Sequence, residues 1–294
     1  MMNTRKSLFL GIGILWISYS GCAGLQFQQG PVMFEDPGVR LAIQPVEPTS
    51  EELQGIELFE KPGSEPVKYQ EENVIFTGIQ NGQGKSMKFF MHRTEQYKPG
   101  SQDKSFTVIS ETVFEGEGGR LYEEKEITEK SEIIKWIRGE HASKIGQFQI
   151  LDWKRTPAYP SGPAKIGDTW DYSETMTVKL KSRFAKQLHE EPYQSQAKSI
   201  LKGFAVVQGR RCAVIETTSH QIKQEHLKVL WKEVQMQITA DIKAVTYLDY
   251  QAGRIMAQIT KTHSQTQGIN LPIQETGQSQ SILHLIPTPV TSDA

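Results

Sequence analysis

KEVQMQITADIKAV, residues 232–245, decides the fold class. Val234, Met236, Ile238, Ala240, Ile242 and Ala244 take every second position, and Glu233, Gln235, Gln237, Thr239, Asp241 and Lys243 take the others. Successive side chains of a strand point to opposite faces, so this spacing makes one dry face and one wet face. A helix would spread the same residues around its axis.

The pattern continues on both sides. Trp170, Tyr172, Met176, Val178, Leu180 and Phe184 fall on one side of a strand, with Lys179, Lys181 and Arg183 mostly on the other. SILKGFAVVQGRRCAVIETTS reads as a hairpin turned at Gln208-Gly209, TYLDYQAGRIMAQIT as one turned at Gln251 to Gly253, and SQSILHLIP as a last strand before the tail TPVTSDA. Earlier, NVIFTGI, SMKFFMHRTEQY, SFTVISETVF and RLYEEKEI alternate in the same way, divided by the turn-forming QNGQGK, KPGSQDK and EGEGG. SEIIKWIRGEH and GQFQILDWKR continue the series. Short turns favour antiparallel neighbours.

The chain is therefore expected to be all-β and mainly antiparallel. Several strands exceed the usual five or six residues, which points to a long, strongly curved sheet or half-barrel. Periodicity leaves open whether side chains fill the interior. Pro157, Pro160 and Pro163 either divide two β-rich halves, residues 67–156 and 157–287, or interrupt one continuous sheet. Residues 288–294 form the tail.

The N-terminus has a different texture. Arg5 and Lys6 precede an apolar run from Leu8 to Ile17, and Ser18, Tyr19, Ser20 and Gly21 follow it. That is the grammar of a secretory signal peptide over residues 1–21. The run is about half the roughly 20 apolar residues that a bilayer core requires. Residues 22–66 carry Gly, Pro and acids in quick succession, as in GPVMFEDPG and IQPVEPTSEELQG, and read as a flexible linker with one helical turn around Ser50 to Gln54.

Tyr19-Ser20-Gly21-Cys22 resembles the lipobox of bacterial lipoproteins, with Tyr19 where an aliphatic residue is usual. The resemblance implies that Cys22 takes a diacylglycerol, that the signal is cut just before it, and that the new amino group is acylated as well. Two or three acyl chains make a durable tether, because each buried methylene adds roughly 0.8 kcal/mol. By resemblance to Gram-negative lipoproteins, Ala23 in place of Asp favours the outer membrane. The membrane, reached through acyl chains on Cys22, is thus the first expected partner.

Removing residues 1–21 takes away Arg5 and Lys6 and no acid, leaving 31 basic against 34 acidic residues and a formal net charge of -3. Basic runs are short and broken by acids, as in LHEEP and QEHLKVLWKE, so no nucleic-acid partner is expected. Cys212, in GRRCAVIE, reads as a small core residue, and two cysteines cannot build a thiolate metal site.

Pro163-Ala164-Lys165-Ile166-Gly167-Asp168-Thr169-Trp170, LKGFAVVQGRRCAVIE and TYLDYQAGRI together resemble motifs of uncharacterised bacterial envelope proteins. Those proteins are distantly similar to the lipoprotein-carrier superfamily, whose curved antiparallel sheet holds acyl chains. The residues themselves read as structural, Gly167-Asp168 as a turn and Asp249 as a strand-end cap.

Catalytic patterns are missing from the sequence. His92, His141, His189, His220, His226, His263 and His284 have no companion at ligand spacing, and HEEP at His189 lacks the second His of a zinc-protease helix. There is no G-x-S-x-G elbow and no phosphate-binding loop, so neither catalysis nor a cofactor is expected. Glu123 and Glu124 alternate sides of a strand and cannot face one substrate together. The expected role is binding, of a hydrophobic ligand or an envelope protein partner, through the curved sheet. In the first case Met176, Val178, Phe184, Met236 and Ile238 would line a cavity. The alternative is an assembly scaffold with a packed core. Beneath every reading lies a β domain held at the membrane, with Trp136, Trp153, Trp170 and Trp231 as core or edge aromatics. An envelope hydrolase whose carboxylates converge only in the fold is the remote third.

Overall fold

The computed structural model describes residues 28–34, 41–115, 119–142, 146–182, 185–187, 192–229, 232–270 and 274–286. Fifteen strands lie among these residues: β1 (Gln28–Pro31), β2 (Gln44–Val46), β3 (Val67–Gln80), β4 (Gln83–Pro99), β5 (Ser105–Phe114), β6 (Arg120–Thr128), β7 (Ile133–Ala142), β8 (Gly146–Arg155), β9 (Thr169–Ser182), β10 (Ala185–Gln187), β11 (Pro192–Val207), β12 (Arg210–Val229), β13 (Lys232–Asp249), β14 (Arg254–Gly268) and β15 (Gln274–Leu285). Among the described residues, one short helix, α1 (Ser50–Gln54), precedes β3.

From β3 to β9 and from β11 to β15 each strand pairs antiparallel with the next, β11 also pairs with β9, and β15 returns to β3 with Gly277 opposite Thr77 and Leu285 opposite Tyr69. β10 and β11 share one place in the ring, both lying between β9 and β12. The result is a closed twelve-stranded up-and-down barrel, with β1 paired to β4 and β2 to β11 outside it. The expected half-barrel goes further and closes. Strands on both sides of Pro157, Pro160 and Pro163 belong to the same sheet.

The turns follow their sequences. Asn81-Gly82 and Gln208-Gly209 each place two successive residues at positive φ (51° and 75°, 51° and 77°), as a tight hairpin turn requires. Asp249 caps the β13–β14 hairpin by accepting hydrogen bonds from the backbone N–H groups of Gln251 and Ala252. The Asp168 carboxylate accepts one from Lys165 N–H at 2.8 Å beside Gly167, whose φ is +92°.

Register fixes which side chains point inward. Ala240 lies opposite Gln221 and Ser264, and Ser264 lies opposite Gly277. Met236, Ile238, Ala240, Ser264, Thr266 and Ser279 are all buried. Side chains on this wall are mostly small. The rest of the ring supplies bulk: Phe106, Val108, Ile127 and Ile133 form one buried cluster, and Ile150, Met176 and Tyr193 another, with Trp136 and Trp153 packed against them. Twelve strands enclose more width than the eight that side chains just fill, and the aromatic residues occupy it.

The outward row of β14, Lys261, His263, Gln265 and Gln267, is exposed. A barrel embedded in lipid carries an apolar band there. Among the described residues, no helix is long and apolar enough to cross a membrane.

One end of the barrel is covered. Ile56, Leu58, Tyr159 and Ala164 pack with Leu201, Phe204, Ala213, Ile215 and Leu248, and Leu58 is 0% exposed. Ile56 and Ala164 pair as an isolated bridge, and Lys61 N–H donates to Gly253 C=O at 2.9 Å. On the outer surface Leu41 joins Val207, Cys212, Met256, Ala257, Ile259 and Ile282 in a second cluster. The segment with linker composition is therefore built into the fold from Leu41 onward. Its helix α1 starts in a capping box, Thr49 Oγ1 accepting from Glu52 N–H and Glu52 Oε2 from Thr49 N–H.

Candidate functional site

A pocket of about 930 Å³ crosses the wall formed by β9 and β11 to β15, reaching Thr156 at one side and Phe34 at the other. It follows two lateral rows of side chains. In the first, Ser173 lies opposite Gln196, Gln196 opposite His220, His220 opposite Asp241, Asp241 opposite His263 and His263 opposite Gln278. In the second, Asp171, Lys198, Thr218, Lys243 and Lys261 follow one another across the same strands. Six adjacent places in the sheet spaced about 4.8 Å apart make a strip on the order of 24 Å long.

Its charges are mixed and wet. His220 Nδ1 and Asp241 Oδ1 are 2.7 Å apart, with 58% and 71% of their side chains exposed. Lys243 Nζ lies 2.7 Å from Glu216 Oε2. Exposed pairs of this kind contribute about 0–1 kcal/mol each, so a partner could rearrange them at little cost. Among the described residues, neither His220 nor His263 is hydrogen-bonded to a hydroxyl, and no group of three or more His, Cys, Asp or Glu is placed to hold a metal ion. The strip offers reversible polar contacts over a long surface.

A second concentration of charge lies inside the barrel. Arg93 pairs with Glu95, Ser110 Oγ donates to Glu123 at 3.1 Å, and Lys125 Nζ sits 4.3 Å from the centre of the Trp153 ring. Burial pushes the Lys125 pKa down against the pull of Glu123. Burial also opposes the Arg93 charge, and Glu95 and Glu123 more than offset it, so its pKa rises. This network cross-links the walls of the interior and is buried at Glu95, Glu123 and Lys125.

The residues singled out in the sequence distribute as follows. Cys22, Phe184, His189 and Trp231 lie outside the described residues, as does the tail 288–294. Met176, Met236 and Ile238 are 6%, 1% and 3% exposed, and none of them lines the strip. Cys212 is a buried free thiol whose pKa burial pushes up to about 12. Glu123 points inward and Glu124 outward to Arg138, Nε to Oε2 at 3.1 Å.

Sequence reading missed the strip. Its residues are dispersed over more than a hundred positions and meet only through strand register. The turn at Gln251 to Gly253 could have placed Asp241 beside His263 to within a residue. The β12–β13 hairpin, closed by Val229 opposite Lys232, offers no Gly, Pro, Asn or Asp in KVLWKE to announce it.

No protein-family model, curated protein or solved structure matches the chain.

Proposed function

We propose that this is a bacterial envelope lipoprotein, tethered through acyl chains on Cys22 in the outer membrane, that acts by binding a protein partner along the strip on β9 and β11 to β15. The observation that carries the reading is the strip itself: a long, exposed row of hydrogen-bonding and oppositely charged side chains, with its ion pairs left in solvent. Such a surface suits a polypeptide better than an acyl chain, which needs a dry cavity. Its side chains support binding, since they pair with each other and bring no hydroxyl to an imidazole.

The test places a photo-crosslinking residue at Lys261 or His220 in intact envelopes, with Thr107 on β5 as the control wall. The expected result is one reproducible protein adduct from the strip positions, absent from Thr107 and lost on Asp241→Lys. Equal labelling from both walls, or none from the strip, would refute the reading. Copurified lipid in native mass spectrometry of the mature chain would favour a carrier instead.

A further inference from the structure

The two rows of the strip are chemically unlike. In one, Asp241 is the single carboxylate and stands between His220 and His263, with Gln196 and Gln278 beyond them. The other carries three exposed lysines, Lys198 on β11, Lys243 on β13 and Lys261 on β14, with Asp171 at its end. Lys243 lies directly opposite Lys261. Like charges opposed across neighbouring strands destabilise a sheet, and only one of these two is answered, by Glu216 Oε2 at 2.7 Å from Lys243 Nζ. Among the described residues Lys261 forms no ion pair, and neither does Lys198, although Asp171 stands opposite it in the register. An anionic partner would relieve that repulsion.

The spacing says what shape that partner has. Lys198 and Lys261 are three strand places apart, about 14 Å. An extended polypeptide covers about the same distance in four residues, and its side chains alternate between its two edges. A segment laid along the strip therefore sends residues i, i+2 and i+4 toward the lysine row and the residues between them toward Asp241 and the glutamines. A lipid headgroup or a nucleic-acid backbone would answer the lysines and leave Asp241 facing a second anion.

Resting on the reading of the strip as the binding site, we propose that its partner contributes an extended segment with acidic side chains at three alternate positions, set against Lys198, Lys243 and Lys261, and a basic side chain between them, set against Asp241. The solvent-exposed pairs His220–Asp241 and Lys243–Glu216 exchange partners as the segment docks. The lysine row selects the charge of the segment and the Asp241 row fixes its register.

The experiment follows the fluorescence anisotropy of short labelled peptides titrated with the full mature chain at low salt. The peptide Thr-Glu-Thr-Glu-Lys-Glu-Thr should bind about tenfold more tightly than the same peptide with Gln for Glu, the effect of three exposed ion pairs, and more tightly than its isomer with the acids in one block. Lys198→Glu with Lys261→Glu should remove that preference, and Arg120→Glu on β6 should leave it; all three side chains are exposed, so the fold is untouched. Equal binding of the Gln peptide or of the block isomer, no response to the double reversal, an equal loss from Arg120→Glu, or an oligothymidylate bound as tightly as the peptide would overturn the acidic segment. In intact envelopes, a photo-crosslinked adduct from position 220 that survives the double reversal would overturn the acidic segment and leave the strip as the binding site. No adduct from any strip position would remove both.

Discussion

Arg211 grips Glu52 with two nitrogens, Nε on Oε1 and Nη2 on Oε2, each at 2.6 Å. The Tyr250 hydroxyl donates to Oε1 as well, also at 2.6 Å. One carboxylate, 2% exposed, thereby ties α1 to β12 and to the β13–β14 turn. A helix of five residues has no stability of its own, so this joint holds the covering segment in place.

Acid should loosen that joint. The Arg211 hydrogen bond, opposed by burial and aided by Tyr250 and Thr49, holds the Glu52 pKa down at about 2, from an ordinary 4.5. The folded state therefore binds this proton less readily than the unfolded state. The stabilisation is complete above the ordinary value and is lost as pH falls toward 2, at about 3 kcal/mol in full. Urea denaturation at about pH 6 and about pH 3 should show wild type losing more stability than Glu52→Gln, which starts lower and changes less.

Leu58→Ala should cost about 2–5 kcal/mol, because the side chain is 0% exposed and its neighbours span β11, β12, β13 and the loop at Tyr159. Thermal unfolding measures it. A loss below about 0.5 kcal/mol, usual for a surface position, would show that the segment does not seal the barrel.

Gly253→Ala should also destabilise. Its φ is +66°, and a Cβ there would come within 2.7 Å of the Lys61 backbone nitrogen. The substitution strains the turn and pushes away the segment that hydrogen-bonds to it, at about 1–3 kcal/mol. Limited proteolysis should then cut between residues 55 and 66 faster than in wild type.

Cys212 should ignore thiol reagents while the protein is folded. Only the thiolate reacts, and burial holds the pKa at about 12. A chromogenic disulfide at neutral pH should label it slowly in buffer and completely in urea. Rapid labelling of folded protein would contradict its place in the Leu41 cluster.

The strand faces could be read in advance where the pattern is local. Met236, Ile238 and Ala240 declare their side by spacing alone, and Gln208-Gly209 declares its turn by composition. Closure was not legible, because Thr77 and Gly277 carry no mutual signal across the intervening chain. The role of residues 41–60 was hidden for a related reason: Pro, Gly and acids suggest a linker, and only the cluster around Leu58 and the Arg211 partner of Glu52 make the segment part of the fold. The strip required every register from β9 to β15 at once. The reading of Cys22 rests on the residues beside it alone, and those lie outside the described residues.

The pairing of β3 with β15 sets an order of events. No intermediate length of chain can complete the barrel, because its first wall strand must wait for the last, ending at Leu285. Until then β3 presents an open edge, the kind that invites pairing with other chains. A chain exported amino terminus first would cross the membrane with that edge unsatisfied throughout. Closure would then come late, as a long-range step of the slow kind, and loss of the final strand would cost the whole ring rather than one of its parts.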